Sequence, residues 1–152
     1  MNSPRSQLRG RRGRGRRGDE GQALAEMAIV LPLLLLLVFG IIEMSNAWRT
    51  FQVLTNAARE GARVGILQSA DEEAIRSRIQ LSLESGGIAY VEDQVTIECI
   101  GLDGTPTGNA VCSGSGQEVR IRVTQPFTYD VLGVFGGLAP ITIASTTSMR
   151  RE

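Results

Sequence analysis

The twenty residues from Ala23 to Ile42 form an apolar run that constrains everything else the chain can do. As a helix the run spans about 30 Å, the thickness of a bilayer hydrocarbon core. Thirteen of its residues are Leu, Ile, Val or Phe. At roughly −0.3 to −0.6 kcal/mol each they supply on the order of −6 kcal/mol toward insertion. The one charge inside the run is Glu26. A carboxylate costs about 2.5 to 3.5 kcal/mol at the bilayer centre, and less near the end of a span. Insertion wins, and a transmembrane helix is expected over residues 22–43.

Pro32 falls in the interior of that helix, where it removes one backbone hydrogen bond and is expected to kink the axis in the membrane. Glu43 is expected as a solvated charge at the far boundary, and Trp48 as an interfacial anchor of the aromatic-belt kind. Glu26 is the sharper residue. An acid at this depth either snorkels to the headgroups or meets a partner, and its cost favours the partner.

Before the run, residues 1–17 hold seven arginines and no acid, interleaved with glycine. Nothing there can pack, so residues 1–21 read as an unstructured basic leader. By the positive-inside rule the leader holds the N-terminus in the cytoplasm and sends the rest of the chain outward. Arg/Gly tracts also bind nucleic acid, but no aromatic residue is interleaved for base stacking, so no nucleic-acid partner is expected. A cleaved secretory signal ending at Ser45-Asn46-Ala47 is a rival. Its apolar region, 16 residues from Met27 to Ile42, exceeds the usual 7 to 15 or so.

A basic leader, then Gly21-Gln22, then an apolar helix with Glu26 at its fifth position resembles the processing signature of type IV prepilins. The stretch from Ala25-Glu26-Met27-Ala28 through Pro32 to Phe39-Gly40-Ile41-Ile42-Glu43 resembles the TadE-like family, small pseudopilin-type proteins of tight-adherence (Flp) pilus systems. Pro32 lies earlier than the proline of major type IV pilins, and Met27 stands where an aromatic is commonest in the family. The resemblance implies cleavage between Gly21 and Gln22 by a prepilin peptidase, and a helix-assembly role for Glu26 opposite a neighbouring subunit's freed N-terminus. It also implies other pilins or pseudopilins and inner-membrane platform proteins as partners, beside the lipid bilayer.

Residues 44–152 read as one extracytoplasmic α+β domain. Phe51, Leu54, Ala58 and Ala62 recur at near-helical spacing, so the first helix is expected to continue to about Leu67. Ala57, Gly61 and Gly65 form a strip of small residues on it, suited to close helix packing. The strip serves either a subunit contact or the chain's own sheet. Ser69 to Glu72 has the capping-box form, and Ile75, Ile79 and Leu83 line a short helix that stops at Gly86-Gly87. Alternation over Val95–Cys99 and Val119–Val123 reads as two strands, with Glu98 able to face Arg120 or Arg122. Ile141–Ala144 offers a third, making an antiparallel sheet of about three strands. Tyr129–Pro140 reads as a loop and Ser148–Glu152 as a solvated end.

Cys99 and Cys112 lie in the segment expected outside the membrane, which favours a disulfide between them. The chain contains no histidine, so the commonest general base and metal ligand are missing. No metal, cofactor or small-molecule substrate is expected. The reading is a non-enzymatic, membrane-anchored component of pilus assembly or a related secretion machine, single-pass in the cytoplasmic membrane. Its alternatives are an uncleaved bitopic protein whose outer domain binds an envelope partner, and a secreted or anchored enzyme.

Overall fold

The structure is a computed structural model. It describes residues 16–130, 133, 137 and 139–152, with side chains from residue 21 onward. Helix α1 spans Arg16–Gly65 and helix α2 Glu72–Ser85. A single 3-10 turn at Glu92–Gln94 leads into strands β1 (Val95–Ile100), β2 (Glu118–Phe127) and β3 (Ile141–Arg150). The architecture is the expected one: a long apolar N-terminal helix and a small α+β domain with one short helix and a three-stranded antiparallel sheet. The chain divides into two compact units, Met1–Val38 and Phe39–Glu152.

In the first unit, the reading of residues 1–15 as an unstructured leader lies outside the described residues. Residues 16–21, expected in that leader, are helical. Extending an existing helix costs far less than nucleating one.

In the second unit, the sheet order is β1-β2-β3 with every pair antiparallel. Val95, Ile97 and Cys99 face inward from β1 and Val119, Ile121 and Val123 from β2, all buried. They meet Leu54, Ala57, Ala58 and Ala62 of α1 and Ile75, Ile79 and Leu83 of α2 in one core. Each period visible in the sequence thus becomes a covered face, 3.6 residues for the helices and 2 for the strands. Glu98 lies opposite Arg120 in the register. Glu118, on the same strand as Arg120, also brings a carboxylate oxygen to 4.0 Å from its guanidinium.

Three further expectations need correction. The cap of α2 is Asp71, not Ser69: its side chain accepts from Ala74 N–H at 2.7 Å. Ser69 is taken up in a turn closed by Ala70 N–H on Leu67 O, and a carboxylate is the better partner for the helix dipole. Glu43 is not solvated but 3 % exposed, because the second compact unit already includes α1 from Phe39. The third strand runs on from Ala144 to Arg150, so the supposed solvated tail is largely strand. Beyond it Arg151 N–H donates to Gln117 O at 2.8 Å, and its Nη1 donates to the Cys112 carbonyl. The first helix does continue past the apolar run and ends at Gly65, within two residues of the expected end. The loop expected over Tyr129–Pro140 falls largely outside the described residues.

Candidate functional site on the first helix

Gly21 and Gln22 lie on α1, both exposed. Gln22 Nε2 donates to Glu26 Oε1 at 3.1 Å, one helical turn away. A Cβ added at Gly21 would meet nothing within 4 Å. Glycine costs about 1 kcal/mol relative to alanine inside a helix, and nothing in the fold requires one at this position. From Leu24 to Leu37 the large apolar side chains stand exposed. Among the described residues one helix is long and apolar enough to cross a membrane. Its most apolar window has a mean hydropathy of 2.6 and is 6 % buried. A core helix would be covered; this one leaves its apolar surface bare, which is stable only in apolar surroundings. Pro32 lies inside α1, whose assignment as one helix continues on both sides.

In the second unit Trp48 is 61 % exposed, its ring 5.8 Å from that of Phe51. The small-residue strip turns inward. Ala57 is fully buried, and Gly61 and Gly65 are buried as well. A Cβ on Gly61 would come within 2.6 Å of Ile79 and 2.9 Å of Ile121, and one on Gly65 within 2.9 Å of Val119. Of the two uses open to the strip, the structure has it packed against the chain's own α2 and β2. Glycine at these two positions lets helix and sheet approach to that distance.

Cys99 and Cys112 form a disulfide with Cα atoms 5.2 Å apart, and both are 1 % exposed. Among the described residues no group of three or more Cys, Asp or Glu is placed to hold a metal ion.

Residues 21–63 match the TadE-like protein family. The matched stretch begins at Gly21, holds Gln22, Glu26 and Pro32, and ends two residues before α1 does. It covers less than a third of the chain, and the TadE-like segment therefore includes neither α2 nor the sheet. No curated protein and no solved structure matches the chain.

Several polar ties around the TadE-like segment escaped the sequence reading. Arg49 Nη2 donates to Gly86 O at 3.2 Å, Arg78 grips Glu60 at 2.8 Å, and Thr55 Oγ1 lies 3.0 Å from Ser145 Oγ. Each joins α1 to a residue at least 18 positions away, so no local pattern announces it. Arg76, paired with Glu72 one turn earlier, follows the helical i,i+4 rule and was findable. Its guanidinium also donates toward the Tyr90 hydroxyl. That hydrogen bond, followed by the one with Glu72, raises its pKa above the ordinary value.

Proposed function

We propose that the protein is a membrane-anchored, pseudopilin-type component of tight-adherence pilus assembly or a related secretion machine. One observation carries the reading: a bare apolar helix bears Gly21, Gln22 and Glu26 at its start, inside the segment matched by the TadE-like family. On this reading residues 1–21 are a cytoplasmic leader, 22–43 the span and 44–152 the outer domain. A prepilin peptidase cuts after Gly21, whose lack of a side chain answers to the peptidase rather than to the fold. Removal of the leader turns Gln22 into a new N-terminus one turn from Glu26. The acid then meets the amine of a neighbouring pilin or pseudopilin in the bilayer, where pairing relieves the cost of each buried charge. Trp48 serves as the anchor at the outer interface. Inner-membrane platform proteins are the remaining partners.

The N-terminal residue of the protein recovered from membranes tests this directly. Gln22 is expected. Met1 would indicate an uncleaved anchor, and Trp48 in a soluble fraction a secreted domain. Glu26→Ala is expected to leave membrane insertion intact and to impair assembly; unchanged piliation would remove the role given to the acid.

A further inference from the structure

Helix α1 runs alongside the sheet, and its direction says which end of the outer domain meets the membrane. A Cβ on Gly65 would touch Val119 and one on Gly61 would touch Ile121, while Thr55 Oγ1 lies 3.0 Å from Ser145 Oγ. Ser145 pairs with Val123. Going back along α1 toward its apolar run therefore means going forward along β2, from Val119 through Ile121 to Val123. All these residues belong to the second compact unit, and so does the end of the apolar run, from Phe39 to Ile42.

The register of β2 with β3 continues to Phe127↔Ile141. From Val123 to Phe127 is about 13 Å along a strand, which matches about nine residues of helix. Counted back from Thr55, that distance brings the strand ends level with Asn46. Ile42, the end of the run, lies about 6 Å further on. The headgroup layer beyond the hydrocarbon is itself roughly 5 to 8 Å deep on each side. Glu43, the residue after the run, is 3 % exposed, so the outer domain already covers α1 at this depth.

The side chains at that level suit such a layer. Phe127 and Tyr129 meet edge to face with ring centroids 5.6 Å apart, and Ile141 is 44 % exposed. Trp48 and Phe51 stand at the same level of α1, both exposed. Between Arg122 and Arg150 lie 27 residues with one charge, Asp130, in a chain that is 21 % charged. The far end of the sheet is the opposite. Glu118, Arg150 and Arg151 gather there, and the start of α2 adds Asp71, Glu72 and Glu73. There too the disulfide-pinned loop closes the edge of β1, with Cys99 N–H donating to Asn109 O and Thr107 N–H to Cys99 O, each at 2.8 Å.

We propose that the near end of the outer domain is a second membrane contact, in which Phe127, Tyr129 and Ile141 rest in the headgroup layer beside Trp48. It rests on the anchor reading above. The occupant is a lipid surface, because the helix that carries the domain places this end, and not the charged one, at the bilayer. Phe127 and Ile141 bury apolar surface there, while the Tyr129 hydroxyl keeps its water and headgroup partners.

Spin labels on single cysteines in proteoliposomes test the contact; the native pair stays oxidised and buried and takes no label. Thr128→Cys reports the proposed contact, Ser115→Cys the far end of the sheet and Leu34→Cys the span, and all three side chains are exposed. Oxygen concentrates in lipid and a water-soluble nickel chelate does not, so lipid contact raises the ratio of oxygen to nickel collisions. The ratio at Thr128→Cys is expected severalfold above that at Ser115→Cys and below that at Leu34→Cys. Equal ratios at Thr128→Cys and Ser115→Cys, with Leu34→Cys in lipid, overturn the proposal and leave the anchor standing. Suppression of both collision rates at Thr128→Cys also overturns it, since the chain's own residues then cover the position. A Leu34→Cys label that reads as water removes the anchor and the second contact with it.

Discussion

Gly61 and Ile79 pack so closely that no methyl group fits between them: a Cβ on Gly61 would lie 2.6 Å from Ile79 Cγ1. Ile79 and Ile121, the two side chains it would strike, are both fully buried and cannot swing into solvent. Gly61→Val is therefore expected to destabilise the outer domain by about 1 to 3 kcal/mol through overpacking. Denaturant unfolding of the full chain in micelles, followed by near-UV circular dichroism, measures the change. Gly40→Ala is the comparison, since a Cβ there meets nothing within 4 Å and a helix gains up to about 1 kcal/mol from the exchange. Equal stability of the two variants would refute the packing role of Gly61.

Thr55 supplies the second test. Its hydroxyl donates to Phe51 O at 2.8 Å, which uses its single hydrogen. In the 3.0 Å contact with Ser145 the serine is therefore the donor. Ser145 is buried. Thr55→Val leaves that hydroxyl without its acceptor and is expected to cost about 1 to 3 kcal/mol. Ser145→Ala removes the stranded group altogether and is expected to cost less. The order of the two midpoints in thermal unfolding decides it, and a reversed order would contradict the donor assignment.

The disulfide closes a loop with a sequence separation of 13 and holds the strip that covers the β1 edge. Its loss is expected to lower stability by roughly 3 kcal/mol on the chain-entropy account. Because both sulfurs are buried, thiol reagents in native buffer should react only slowly. Cys99→Ser/Cys112→Ser, compared with the parent by denaturant unfolding, gives the magnitude. An unchanged midpoint would mean that the loop holds its place without the bond.

The Glu60–Arg78 pair gives a pH dependence with a definite sign. Arg78 places Nε at 3.2 Å and Nη2 at 2.8 Å from Glu60 Oε2. The hydrogen bonds from Arg78, then its charge, hold the Glu60 carboxyl below its ordinary 4.5. A carboxyl whose native pKa is depressed stabilises the fold fully above the unfolded value, and that contribution is lost as pH falls through the native one. Glu60→Gln is expected to reduce stability at neutral pH while making the acid limb of the melting-temperature profile shallower. A variant profile parallel to the parent's from neutral to strongly acidic pH would show that Glu60 does not contribute.

Much of this architecture was readable from local chemistry. The run from Ala23 to Ile42 declares itself through transfer free energy, a property of composition and length alone. Ile75, Ile79 and Leu83 announce a buried helix face, and the alternation around Ile97 and Ile121 announces half-buried strands, because backbone geometry fixes which residues share a side. Cys99 and Cys112 were the two cysteines available to pair. The spacing of Gly21, Gln22 and Glu26 is local in the same sense: it is visible without knowing where any other segment goes.

The destinations of these faces were set by the path of the chain. The spacing of Ala57, Gly61 and Gly65 marks a strip for close approach, but only the folded domain brings Ile79, Ile121 and Val119 onto it. Glu43 passes for a surface acid until the second compact unit is seen to begin at Phe39. Arg151 looks like a loose end until Gln117 and Cys112 supply its hydrogen-bond partners. Each depends on residues tens of positions away, and a repeating pattern along the chain records which side of an element is apolar, not what will lie against it.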